Sequence, residues 1–207
     1  MYIHFFKRLI DILLSLTGIV LLLPLLLLIS LLILLDSKGP VLFRQKRIGR
    51  NKKTFHILKF RTMRADAPHD IPTHLMVDPE EYHTRVGRIL RRTSLDELPQ
   101  LFNILIGQMS VIGPRPALWN QDDLIAERDK YHANELRPGL TGWAQINGRD
   151  ELEIEEKARL DGEYAANISF SFDCRCFFGT IYTVLSRDGL KEGGPDHSAQ
   201  TNKKQGA

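Results

Sequence analysis

The sequence predicts an α+β, mostly helical chain: an N-terminal re-entrant membrane helix-break-helix, then a small cytoplasm-facing domain with a minor β-hairpin and surface amphipathic helices. Three observations predict it. An apolar stretch from Leu9 to Leu35 is long enough to cross the hydrocarbon core with some tilt. Basic residues flank that stretch on both sides, and Pro24 lies near its middle. Beyond it, short helical and strand patterns alternate with Gly/Pro breaks, and 207 residues in all suffice for an anchor plus one domain with a core. The expected division is 1–38 for the membrane hairpin, 39–189 for one globular unit and 190–207 for a polar, disordered tail.

The apolar stretch is not a cleaved leader, because Leu35 is followed by Asp36-Ser37-Lys38-Gly39-Pro40 rather than a small-residue cleavage site. Lys7 and Arg8 precede it, and Lys38, Arg44, Lys46, Arg47 and Arg50 follow, so both flanks favour the cytoplasm. A helix that enters, bends and returns keeps both flanks inside, and Pro24 removes a backbone hydrogen bond where such a bend is needed. A single span oriented by the larger C-terminal cluster is the alternative.

After the Gly39-Pro40 break, Val41-Leu42-Phe43 and Thr54 to Phe60 read as strands around the polar turn Gly49 to Lys53. Pro68, Pro72 and Pro79 break the stretch from Ala65 to Glu81 into a loop, either a cover over a site or surface filler. Val86 to Arg92 reads as a short basic helix and Leu98 to Leu105 as a buried one. Asn120 to Asn134 and Asp150 to Tyr164 read as solvated helices, with an irregular glycine-rich segment between them. Phe170, Cys174, Phe177, Phe178, Ile181 and Leu185 recur at helical spacing, which fits a helix on the membrane surface or one facing the core.

A formal net charge of +3 gives little support to a nucleic-acid partner, and none is expected. Basic residues crowd the stretch from Arg44 to Arg64, which suits anionic headgroups or phosphorylated substrates. Cys174 and Cys176 stand too close for an ordinary disulfide and lack further zinc ligands, as expected of a reduced, cytoplasm-facing domain. His56 and His132 show no metal-ligand spacing.

The most informative string is Arg91-Arg92-Thr93-Ser94-Leu95-Asp96-Glu97-Leu98-Pro99-Gln100, which sets adjacent carboxylates just ahead of a helix opened by Pro99. The helix dipole there favours an ionised, nucleophilic Asp96. The same string fits a capping box, Ser94-x-x-Glu97, in which Glu97 serves only backbone N–H groups. Further cations surround it in sequence: Lys59 and Arg61 at a strand end, Arg115 mounted between Pro114 and Pro116, Arg137 and Arg149 among glycines that let backbone approach a ligand. Together they make an anion-binding set.

With these motifs, Lys59-Phe60-Arg61-Thr62-Met63, Ser94 to Gln100, Gly113-Pro114-Arg115-Pro116, Arg137-Pro138-Gly139-Leu140-Thr141-Gly142 and Asn147-Gly148-Arg149, the chain resembles the monotopic phosphoglycosyl transferases, the bacterial initiating sugar transferases, in their small single-domain form. The resemblance implies that 39–189 is the catalytic domain, that Asp96 attacks the β-phosphate of a UDP-sugar to release UMP, and that undecaprenyl phosphate then takes the phosphosugar. It implies Glu97 as second acid, Mg²⁺ with Asp96 as candidate ligand, and Arg115, Arg137 and Arg149 as phosphate holders. Membrane lipids and downstream glycosyltransferases follow as partners, and the cytoplasmic face of the bacterial inner membrane as location. One departure is Leu23, where the family often has serine before the hairpin proline. The longer members add spanning helices ahead of this unit, so this chain is expected to work as the minimal catalytic form. The competing reading is a non-catalytic membrane adaptor in which the acids only cap a helix.

Overall fold

The computed structural model of the chain describes residues 2–64, 66–67, 79–148 and 152–186. Most of the expected cover loop, the tail and Arg149 lie outside the described residues. A π-helical turn, Tyr2–Phe6, leads into α1, Lys7–Asp36. Its leucines are strong helix formers, and its length is about 45 Å. Among the described residues it alone is long and apolar enough to cross a membrane. The helix-break-helix expectation is corrected in one respect: the backbone stays helical through Pro24. A proline removes one donor and crowds the preceding turn, while the bonds on either side keep the flanking turns helical.

One narrow stripe of α1 faces protein: Asp11, Ser15, Leu26, Ile29 and Ile33 are buried, and Gly18 lies against Leu101. The three- and four-residue spacing makes these a single face, and leucines such as Leu21, Leu27, Leu31 and Leu35 stay exposed on the others. Both ends of the stripe are pinned. At the start, Lys7 Nζ meets Asp173 Oδ2 at 2.7 Å, and Arg8 donates to the carbonyls of Ile104 and Leu105. At the end, Arg61 donates to the Ser37 and Lys38 carbonyls, and Asp36 accepts from the Val86 amide.

Strands β1, Leu42–Ile48, and β2, Thr54–Phe60, form the expected antiparallel hairpin, with Leu42 opposite Phe60 and Ile48 opposite Thr54. Short helices α2, Pro79–Tyr82, and α3, Arg85–Arg92, follow. Thr84 caps α3 by accepting from the Gly87 amide. Next come α4, Gln100–Leu105, and β3, Ser110–Ile112. The first solvated helix is shorter than expected, α5 at Asp122–Asp129.

The segment read as irregular holds β4, Gly139–Thr141, and α6, Trp143–Ile146. Three-residue strands show no periodicity, so their parallel pairing, Ser110 with Gly139 and Ile112 with Thr141, was not legible. The motif glycines serve this pairing. A Cβ on Gly139 would stand 2.2 Å from the Gly113 nitrogen, and one on Gly142 would stand 2.2 Å from the Gly113 carbonyl oxygen. Their smallness admits the chain's own backbone, where a ligand was expected.

Helix α7, Ile154–Ala166, is joined to α5 by a buried Arg128–Asp161 pair. In α8, Phe170–Ser186, the core-facing reading of the aromatic run fails. Asp173 and Cys176 are buried, while Phe170, Phe177, Phe178, Ile181 and Tyr182 are exposed. Trp143, Leu160, Tyr164 and Cys176 form the core between α6, α7 and α8.

Gly139→Ala is expected to lower stability by at least about 2 kcal/mol, a drop of roughly 5 °C in Tm, because its new methyl meets backbone that cannot yield. Gly18→Ala meets only the flexible tip of Leu101, at 3.2 Å, and should shift Tm far less. Melting both variants in the same detergent checks the contrast.

Candidate active site

The acid pair sits on a 3₁₀ turn, Leu95–Glu97, entered through Ser94 in the left-handed region at φ 55°. Leu95 and Leu98 pack with Leu26, Ile29, Ile33, Phe60 and Leu90, which anchors the turn against the second half of α1. Pro99 caps the start of α4 as expected. The capping-box reading does not hold: Ser94 makes no side-chain cap, and Glu97 is occupied elsewhere.

Lys59 comes from β2, where the two-residue period puts it on the buried face with Phe55 and Ile57. Asn103 clips α4 to this strand by accepting from the Leu58 amide and donating to the His56 carbonyl, both at 2.9 Å. Arg115 comes from the loop after β3, held as Gly113 N donates to Thr141 O and Gly139 N to Pro114 O, both at 2.8 Å. Arg91 comes from the last turn of α3.

These elements treat the two acids differently. Glu97 Oε1 accepts from Lys59 Nζ at 2.7 Å and from Arg115 Nη2 at 2.8 Å. Asp96 Oδ2 faces Lys59 at 3.9 Å and Arg91 at 4.0 Å, both longer than a hydrogen bond. Burial works to raise the Glu97 carboxyl, but Arg115 and Lys59 outweigh it and hold the group well below the usual range. Burial pushes Asp96 up, Lys59 pulls it back, and the Glu97 charge adds to the rise. The expectation that a helix N-terminus keeps Asp96 ionised is therefore corrected: desolvation outweighs what a six-residue helix contributes. Burial also lowers Lys59, against the attraction of Glu97 and Asp96.

Three cations thus converge on two acids, and Arg115 keeps 41% of its side chain exposed. Such a surplus suits an incoming phosphate. Of the other expected site residues, Arg61 lies elsewhere, 5% exposed with its guanidinium on the C-terminal end of α1. Arg137 lies past the opposite end of α4 from the acids, donating to the Gly107 carbonyl. The exposed His56 and His132 join no metal-binding group. Arg91 and Asn103 are the participants that sequence reading passed over. Arg91 stands in the same motif string, but only the fold of α3 back onto the turn reveals its use.

Among the described residues no three His, Cys, Asp or Glu side chains converge into a metal cage. Mg²⁺ commonly takes one or two carboxylates plus substrate phosphates. Asp96, with its cations at 3.9 and 4.0 Å, fits that role better than Glu97, whose Oε1 already accepts from two.

A buried and a half-buried acid ringed by cations thus sit against a long helix whose outer face is exposed leucine. The chain belongs to the bacterial sugar transferase family, whose sequence model matches residues 2–187. The exopolysaccharide production protein PSS of Rhizobium leguminosarum bv. phaseoli is 43% identical over 193 residues, covering 87% of this chain and 96% of that protein. The exopolysaccharide production protein ExoY of Sinorhizobium fredii is 36% identical over 196 residues, covering 87% and 86%. The UDP-glucose:undecaprenyl-phosphate glucose-1-phosphate transferase of Escherichia coli is 39% identical over 189 residues, 85% of this chain but 39% of that longer protein.

The asymmetry predicts opposite stability effects. Glu97's folded pKa is depressed, so its contribution is complete above the unfolded value of about 4.3 and is lost as pH falls through the folded one. Glu97→Gln should cost about 3 kcal/mol at pH 7 by stranding Lys59 and Arg115. Asp96's folded pKa is raised, so the ionised form costs stability at neutral pH and the cost fades as pH falls through the folded value. Asp96→Asn should therefore raise Tm at pH 7, with the gain shrinking toward acid. Denaturation of both variants across pH reads the two signs, and a lower Tm for Asp96→Asn at neutral pH would refute the assignment.

Proposed function

We propose that this chain transfers a sugar 1-phosphate from a UDP-sugar to undecaprenyl phosphate through a phosphosugar held on Asp96, at the cytoplasmic face of the bacterial inner membrane. The observation that carries the reading is the division of labour between the acids. Glu97 is locked by two charge-assisted bonds, while Asp96 is buried and among the described residues no cation stands closer to it than 3.9 Å. A carboxylate that is desolvated but not hydrogen-bonded to its cations is the better nucleophile.

An Asp96 oxygen attacks the β-phosphorus, the bond from that phosphorus to the bridging oxygen breaks, and UMP leaves with the bonding pair. An oxygen of the lipid phosphate then attacks the same phosphorus, the Asp96 carboxylate leaves, and the sugar is joined to the lipid through a diphosphate. Lys59 and Arg115, fixed by Glu97, and Arg91 face the diphosphate, where charge builds up as the bridging bond breaks. Asp96, together with the donor's phosphates, would hold Mg²⁺, which would offset the diphosphate charge. Glu97 is a positioning residue in this scheme.

A re-entrant course for α1 accounts for its two pinned ends. Lys7 and Arg8 at one end and Asp36 at the other are fastened to the same domain, which a straight crossing of the bilayer would not permit. The outward aromatics of α8 suit the headgroup layer. The product lipid diphosphosugar suits assembly of a surface polysaccharide, in keeping with the relatives named for exopolysaccharide production.

Purified protein given undecaprenyl phosphate, Mg²⁺ and a panel of UDP-sugars should release UMP with at least one donor, and Asp96→Asn should release none. Intact-mass analysis of wild type with donor alone should show one phosphosugar adduct, absent from Asp96→Asn. Turnover without any adduct would mean direct attack by the lipid phosphate. Arg115→Ala should lower kcat/KM by about 10²-fold.

A further inference from the structure

A second concentration of positive charge lies past the other end of α4. A cavity of about 140 Å³ is lined by Lys7, Arg8 and Asp11 of α1, by Arg50 and Arg137, and by Glu135, whose carboxylate is engaged by His132 Nδ1 at 2.7 Å. Each arginine spends part of its guanidinium on backbone: Arg8 on the Ile104 and Leu105 carbonyls, Arg50 Nε on Glu135 O, Arg137 Nε on Gly107 O. Among the described residues none of the three is paired with a carboxylate, which leaves the η nitrogens of Arg50 and Arg137 as available donors. Lys7 is neutralised by Asp173, and Asp11 is committed to Ser110 Oγ at 3.0 Å and the Val111 amide at 2.8 Å. Burial lowers the Arg137 pKa, and the charges of Arg50 and Arg8 lower it further against the smaller opposing pull of Asp11, so the like charges are only partly offset.

Asp11 offsets only part of the repulsion among three arginines, and an anion in the cavity would relieve the rest. The volume is roughly that of five waters, enough for a phosphate group and too small for a nucleotide. Ile3, 45% exposed, lines the cavity together with Leu136 and Ile168, which gives it an apolar side next to the start of α1. We propose that this cavity is a second phosphate site, distinct from the acid pair, that takes the headgroup phosphate of an anionic membrane lipid between Arg8, Arg50 and Arg137. The arrangement fastens the N-terminal end of α1 to the lipid surface through a forked guanidinium contact.

The test is thermal unfolding of the full chain in neutral detergent, titrated with dihexanoyl phosphatidic acid, inorganic phosphate or dihexanoyl phosphatidylcholine. Phosphatidic acid at ten times its Kd should raise Tm by about 3–5 °C. The rise should vanish in Arg50→Gln/Arg137→Gln, shrink in Arg50→Gln alone, where one exposed side chain is changed, and persist in Arg115→Gln, which alters only the acid-pair site. A larger rise with phosphatidic acid than with inorganic phosphate supports the lipid source. Equal rises, both lost in the double variant, support the phosphate site but overturn its lipid assignment. A rise that survives the double variant, one lost in Arg115→Gln instead, or none with either phosphate overturns the proposal.

Discussion

The constraint on which the rest of the structure depends is that α1 must serve two media along its whole length. One narrow stripe packs against the domain, and the remaining surface is leucine and isoleucine that water cannot accommodate at that area. Polar contacts hold the stripe in register at both ends: Lys7, Arg8 and Asp11 against α8, α4 and β3, and Asp36 and Ser37 against α3 and Arg61. Apolar packing alone would let a leucine helix slide or rotate, because its faces are nearly interchangeable. The charged and hydrogen-bonded ends remove that freedom.

Because the stripe is fixed, so is the position of the acid pair. Leu95 and Leu98 pack among Leu26, Ile29 and Ile33, so the turn bearing Asp96 and Glu97 rests against α1 itself. The pleat of β2 and the close glycine contacts of β3 and β4 then bring Lys59 and Arg115 onto the same acid. Two adjacent carboxylates of nearly equal intrinsic acidity end up in opposite states: one is held ionised by two donors, the other pushed toward protonation by burial. Neighbours three ångströms apart decide this, and the order of residues along the chain does not.

The hairpin, α3, the buried helix after Pro99, the acid pair and the apolar anchor were legible in the sequence, each because a periodicity or a breaker marks it. The uses of several residues were not. Arg61 has the sequence context of a ligand-binding cation, but its guanidinium donates to the Ser37 and Lys38 carbonyls just past the end of α1. Arg137 shares a motif with ligand-adjacent glycines, yet those glycines admit a neighbouring strand, and the side chain turns toward Arg8 and Arg50. The outward aromatics of α8 could have faced a core by spacing alone. Burial of Asp173 and Cys176 on the other face settles their direction.

What the sequence by itself determined is local and compositional: an apolar helical stretch flanked by basic residues, a two-stranded hairpin, and adjacent acids ahead of a proline-started helix. What only the tertiary structure decided is which cations reach which acids, and which arginines are spent on backbone. Those outcomes rest on contacts between residues far apart in the chain, such as Lys59 with Glu97 or Arg8 with Ile104. A linear pattern reports the face a side chain occupies, whereas its ionisation and bonding depend on what the rest of the fold places within a few ångströms of it.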